Sequence, residues 1–347
     1  EIASCLVGSE MCIRDRRMDA VSRLIYWQGD PARGVNGDTL EFLKNMNRGL
    51  KVRHPSALLI AEDSTAYPGV TRPVDEGGLG FDYKWDLGWM HDTLEFCQTQ
   101  PDLRPRDHGK LLWSMHYFSN EHYLLPLSHD EVVHGKAAIV QKMWGADECD
   151  KYAQARVMYL YMFTHPGKKL NFMGNEIGQF REWDEKREQD WNLLDFPIHE
   201  AFYHYMKELN HLYLDHPALW EKDFNRDGFI WLDCHQEERC IYAFERIGSS
   251  ERIIAVFNFS NCDNTNFHLH LKVHCYTVAY IWSYVSVRNM NMIRIYCIGS
   301  QCLSALQLSD QAQITCAGWK KVCNNLCLNE PWHNTNQTFK MFFDLCF

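Results

Sequence analysis

Three acidic segments carry side chains suited to attack at carbon and to proton transfer. They are Arg17-Met18-Asp19-Ala20-Val21, Leu59-Ile60-Ala61-Glu62-Asp63-Ser64 and Leu125-Pro126-Leu127-Ser128-His129-Asp130-Glu131. Each sets a carboxylate just after a stretch that reads as a short strand. In a parallel β/α barrel the C-terminal strand ends converge on one face, so carboxylates far apart in sequence can meet there. Cleavage of a glycosidic bond with retention needs such a meeting. One ionised carboxylate acts as nucleophile and one carboxylic acid of raised pKa donates a proton, about 5 to 5.5 Å apart. Taken singly, an acid after a strand more often caps the next helix. Asp63, Asp82 and Glu131 are equally acidic and read as solvated-loop or helix-start residues. His129 and His134 lie five residues apart, whereas a zinc-binding H-E-x-x-H pair needs a spacing of four on one helical face. No metal and no cofactor is expected.

The elements that would position these groups follow from the apolar pattern. From Arg17 to Asp215 short apolar strands alternate with helical patterns: Ala57 to Ala61, Thr93 to Cys97, Tyr123 to Leu127, Tyr152 to Phe163, and Lys169 to Met173. That β/α order predicts a parallel sheet. From 216 to 261 the pattern changes to short alternating strands, Phe229 to Leu232, Cys240 to Phe244 and Ile253 to Phe257, as at the start of an all-β domain. Two terminal segments are set apart. Residues 1–16 read as a non-native leader, and residues 262–347, which lose clear periodicity, read as a frameshifted or foreign tail, the alternative being an unusual β-domain.

Bulk properties bound the partners. A formal net charge of -10 offers no basic field for phosphates, which argues against nucleic acid or anionic membrane. Neutral polymers fit better, and 12 Trp and 16 Tyr suit sugar stacking, although most aromatic side chains in any protein are core. Eight of the 14 cysteines fall after Asn261 and none shows zinc-site pairing, so reduced thiols and a cytoplasmic location are expected. The start lacks the basic region and apolar run of a signal peptide. Val273 to Val287 is shorter than the roughly 20 residues that cross a bilayer.

The strings themselves resemble a known family. RMDAV, AEDST and SHDEVVHGK are similar, in order, to the nucleophile, acid/base and third-carboxylate segments of the α-amylase superfamily. PGVTRPVDEGGLGFDYKWDLGWMHDTLEF, His165 to Leu170 and Met173 to Trp183 look like its bacterial glycogen branching enzymes. The resemblance covers about Arg17 to Phe259. It implies the second half of a (β/α)8 TIM barrel, from the fourth strand on, over 17–215, followed by an incomplete all-β C-terminal domain. It implies Asp19 as nucleophile, Glu62 as acid/base and Asp130 as transition-state stabiliser. Arg17 would keep Asp19 ionised, His129 would bond sugar hydroxyls, and Trp85, Trp89, Asn175, Glu176 and Trp183 would line the glucan groove.

The implied reaction cuts an α-1,4 link and passes the severed chain to a 6-hydroxyl of a glucan such as glycogen or amylose. An amylase-type hydrolase and a non-catalytic glucan-binding fragment are the alternatives. The superfamily's first signature segment should lie upstream of Asp19 and is not found, so this chain is expected to be inactive, while the full-length relative is expected to be an active monomer.

Overall fold

The computed structural model describes residues 15–262, 264, 268–271, 278–284, 294–298 and 312–315. The readings of a non-native leader and of a foreign tail lie for the most part outside the described residues. Five parallel strands pair in sequence order: β1 (Asp15–Met18), β2 (Leu58–Ala61), β3 (Tyr83–Trp85), β4 (Tyr123–Leu127) and β5 (Lys168–Asn171). Helix α1 (Gly37–Arg53) joins β1 to β2. Helices α2 (Leu87–Gln98) and α3 (Lys110–Tyr117) join β3 to β4, α4 (Glu148–Thr164) joins β4 to β5, and α5 (Pro197–Asp215) follows β5. This is half of a β/α barrel, as the sequence implied.

Local chemistry accounts for the elements. Asn36 caps α1 by accepting from the Thr39 amide, Asp86 caps α2 through the Trp89 amide, and Asp147 caps α4 through the Asp150 amide. From Tyr152 to Thr164 every residue of α4 except Arg156 is buried, because the helix is enclosed by the barrel sheet, α5 and the second domain; a helix covered on all sides is apolar on all sides. The core of α2, α4, α5 and β4 runs on into that domain. A second core packs Leu40 and Leu43 of α1 on Leu59 of β2 and on Val70, Leu79 and Phe81.

Strand β3 carries no apolar run and was not foreseen. It is three residues long and its middle residue is a buried lysine, Lys84. Its brevity explains how proline is tolerated inside β4. The Leu124 carbonyl accepts from Asp86 on the β3 side and the Leu127 carbonyl accepts from Phe172 on the β5 side, so Pro126, two residues after Leu124, turns its nitrogen toward β3 just where that strand has ended. Only a single 3-10 turn, Val74–Glu76, and no α-helix separates β2 from β3. The buried Glu121 carboxylate holds that connection instead, accepting from the amides of Gly69 (2.6 Å), Val70 (3.0 Å) and Thr71 (2.7 Å).

The second domain is an all-β sheet in the order β11-β10-β8-β7-β6, with β6 (Phe229–Gln236), β7 (Ile241–Ile247) and β8 (Arg252–Asn258) antiparallel, β10 (Val278–Tyr284) parallel to β8, and β11 (Arg294–Ile298) antiparallel to β10. A pair of strands, β9 (His268–Leu271) and β12 (Ala312–Thr315), stands beside it. Two fully buried arginines tie the domains together. Arg104 donates to the carbonyls of Cys97 and Thr99 in the barrel and of Phe259 after β8. Arg246 on β7 donates to the Thr164 carbonyl at the end of α4 and pairs with Asp223 at 2.7 Å, which also pairs with Lys168 of β5 at 2.9 Å.

Candidate active site

The pairing of β1 with β2 brings the first two acids together. Met18 faces Ala61 in register, and the ladder continues beyond both strands: the Glu62 amide donates to the Met18 carbonyl at 3.0 Å and the Val21 amide donates to the Glu62 carbonyl at 2.8 Å. Asp19 and Glu62 are therefore side by side at the C-terminal strand ends. Ala20, which follows Asp19, has φ 44°, in the left-handed region where a side-chain-bearing residue costs on the order of 1 kcal/mol. Strain of this kind concentrates at functional sites.

The third acid arrives on a turn. After β4, residues His129–Val132 form a 3-10 turn with a complete capping box, in which Glu131 accepts from the Ser128 amide and hydroxyl and the Asp130 amide donates to Ser128 Oγ. Asp130 is left facing Arg17. One nitrogen, Arg17 Nη2, lies 2.6 Å from Asp19 Oδ1 and 3.7 Å from Asp130 Oδ2, and also bonds Glu62 Oε2. Beneath it the Trp85 ring supports the guanidinium at 4.5 Å. Because Asp19 and Glu62 touch the same nitrogen, they are closer than the roughly 6.5 to 9.5 Å of an inverting pair and belong with the short separation of a retaining one.

The electrostatics distinguish the two. Burial and a hydrogen bond with Asp19 raise the Glu62 carboxyl above the ordinary glutamate range, against the opposing pull of Arg17. A raised acid beside an exposed carboxylate is the division of labour that glycoside chemistry uses. His129 Nε2 stands 3.3 Å from Asp130 Oδ1.

Two neighbouring acids have structural partners. Asp63 is buried, not solvated: it pairs with Lys84 at 2.8 Å and accepts from the Thr65 amide and hydroxyl. The pair anchors the chain immediately after Glu62. Asp82 accepts from the Leu59 amide and pairs with Lys51 at 2.6 Å.

The outlying residues separate into two groups. Trp85 and His129 line a cleft of about 340 Å³ with Arg17, Asn171 and Met173. His129, Asp130 and Trp183 line a second of about 550 Å³ with His134, Arg181 and Glu182. Trp89 stays in the core, 1% exposed, its ring tilted against His165, and reaches neither cleft. Asn175 is buried and bonds Asn171 Oδ1 at 3.1 Å and the Leu127 carbonyl. Glu176 is half-buried and lines neither cleft. Sequence reasoning missed Lys136, whose ammonium donates to the Asp130 carbonyl at 2.8 Å, and Glu182, which bonds the amides of Gly135 and Ala137. No spacing rule connects Glu182 to amides 45 and 47 residues before it. Among the described residues no cluster of His, Cys, Asp and Glu is built to hold a metal, and no helix is long and apolar enough to cross a membrane.

Fold and site together define a parallel β/α-barrel protein with convergent carboxylates and an appended all-β domain. In sequence the chain is similar to proteins of the α-amylase family. Residues 231–283 match the α-amylase C-terminal all-β domain. Over 253 residues the chain is 44% identical to the 1,4-α-glucan branching enzymes of Bacillus cereus (strain AH820) and Bacillus anthracis, covering 72% of this chain and 39% of each relative. The same identity and coverage hold for that of Bacillus mycoides (strain KBAB4). The chain thus spans about two fifths of the length of the curated relatives it matches. Among solved structures a cyclomaltodextrinase aligns at 22% identity and TM-score 0.44, over 67% of this chain and 37% of its own.

Proposed function

We propose that this chain carries the transfer chemistry of a 1,4-α-glucan branching enzyme. The observation that supports it best is the convergence of Asp19, Glu62 and Asp130 on Arg17, in a chain 44% identical to enzymes of that name. Asp19 attacks the anomeric carbon of an α-1,4 link while Glu62 gives its proton to the departing 4-oxygen, leaving a β-glycosyl ester on Asp19. Glu62, now ionised, takes the proton of an incoming 6-hydroxyl, whose oxygen forms the α-1,6 bond and frees Asp19. Asp130 and His129 hold sugar hydroxyls and favour the flattened, cationic ring. Arg17, seated on Trp85, keeps Asp19 ionised. Trp183 walls the glucan cleft, whereas Trp89 and Asn175 act from the core by holding the strand ends. Neither step calls for a metal or an organic cofactor.

The same reading takes 17–215 as barrel, 216–261 as the start of the β-domain, an α-glucan such as glycogen as partner, a monomer, and the cytoplasm as location. The unpaired thiols of Cys97, Cys149, Cys234, Cys240 and Cys262 support a reducing compartment. The chain alone is expected to be inactive, so the test is to incubate a protein of its relatives' full length that carries these residues with amylose and count new α-1,6 branches after isoamylase debranching, with Asp19→Ala as control. Branches that vanish in the variant are expected. Shortening without branches would mean a hydrolase, and an unaltered substrate would mean a glucan-binding module without turnover.

A further inference from the structure

The loop that follows Asp130 is held in an unfavourable backbone. His134 (φ 60°), Gly135 (φ 79°) and Ala137 (φ 65°) all occupy the left-handed region, which glycine accepts freely and histidine and alanine do not. Something outside the loop must impose this shape. Glu182 does so with both carboxylate oxygens: Oε2 accepts from the Gly135 amide at 2.9 Å and Oε1 accepts from the Ala137 amide at 2.7 Å. Those two bonds hold the Glu182 carboxyl below the usual glutamate range. Next to it the Trp183 amide donates to the Val132 carbonyl at 2.9 Å.

Glu182 does not float. The preceding Arg181 pairs with Asp190 at 3.0 Å and donates to the Glu188 carbonyl at 2.8 Å, which fixes the segment that bears the clamp. The residue between the two clamped amides is Lys136, and its ammonium donates to the Asp130 backbone carbonyl at 2.8 Å. A continuous chain of contacts therefore runs from Glu182 through the loop to the backbone of Asp130, along the wall of the larger cleft.

We propose that Glu182 is a positioning residue for glucan transfer, one that clamps residues 135–137 so that Lys136 fixes where Asp130 stands. The inference rests on the proposed branching function. Glu182 touches no reacting atom; it acts through Asp130. Its loss therefore lowers turnover more than glucan affinity, because Asp130 works on the distorted ring more than on the resting chain.

The experiment compares wild type, Glu182→Ala, Glu182→Gln and Lys136→Met by kcat and KM for branching of amylose, and by amide hydrogen exchange at residues 134–137. The alanine variant should lose protection at 135 and 137 and fall at least tenfold in kcat, with KM changed less than about threefold. Glutamine keeps one accepting oxygen and should lie between. Lys136→Met should reproduce the fall in kcat with protection retained, and it decides the matter if the alanine variant does not fold. An active wild type whose Glu182→Ala or Lys136→Met variant keeps kcat within twofold overturns the inference alone. A wild type that forms no branches overturns the functional reading and takes this inference with it.

Discussion

Arg17 meets Asp19, Glu62 and Asp130 through one nitrogen of a flat guanidinium that rests on the Trp85 ring; the compact, strongly hydrated ammonium of lysine stacks on that ring less well. Arg17→Lys should lower kcat by about 100-fold, a loss typical of removing one preorganised electrostatic contact, as read in the debranching assay. Arg17→Ala should in addition move the alkaline limb of the pH profile upward. Glu62 begins the reaction as an acid, so its raised pKa sets the alkaline limb, and activity is lost as pH rises through it. Removing the cation that opposes this rise carries that limb higher still. Glu62→Gln should cost about 10² to 10⁴-fold on amylose. It should cost far less in the first step with a maltosyl fluoride donor, whose leaving group needs no proton; burst kinetics separate the two steps. What the motifs disclosed at this scale was the acids, since each follows a strand in a recognisable string. They did not disclose that Asp63 turns inward to Lys84 while Glu62 beside it turns to Arg17. Successive residues past a strand end point opposite ways, and which way depends on a lysine in a strand with no apolar signature.

Turns and caps govern the next scale. The capping box at Ser128 holds the turn that presents Asp130, so Ser128→Ala should cost about 1 kcal/mol in denaturant unfolding and lower turnover with it. Asp86 caps α2, and burial pushes its carboxyl up to about 6 despite bonds from the Trp89 amide and the Tyr117 hydroxyl. Its folded pKa exceeds its unfolded one, so the contribution to stability is full below about pH 4 and is lost as pH rises through about 6. The amplitude is on the order of 3 kcal/mol. Urea unfolding between pH 4 and 7 should show this decline, and Asp86→Asn should flatten it. Legibility in the sequence follows length and pattern here. Strands β2, β4 and β5 and the helices α2 and α4 announce themselves by apolar runs or helical spacing. Strand β3 does not, because three residues around a buried lysine offer no period to read.

The whole molecule is held as one piece by charge buried between its domains. Arg246 and Lys168 surround Asp223; burial alone would raise this acid, and the cations around it outweigh that and hold it below the usual range. Arg246→Ala would strand Asp223 in the core, and a loss of about 3 to 5 kcal/mol is expected in thermal or denaturant unfolding. Arg246→Met combined with Asp223→Leu should recover most of it. The sequence marked the change from β/α order to short alternating strands near Asp215, but not this hub, because burial of an arginine is a property of the assembled fold. The shared guanidinium has a last consequence, in terms of what the site attracts. Even with Glu62 protonated, the carboxylates of Asp19 and Asp130 against one cation leave the active face anionic, in a chain already at formal charge -10. A neutral glucan gains nothing from that field, but a sugar ring bearing a protonated nitrogen does. Such iminosugars should bind more tightly than their neutral counterparts, and the preference should weaken with added salt and vanish as the carboxylates are protonated.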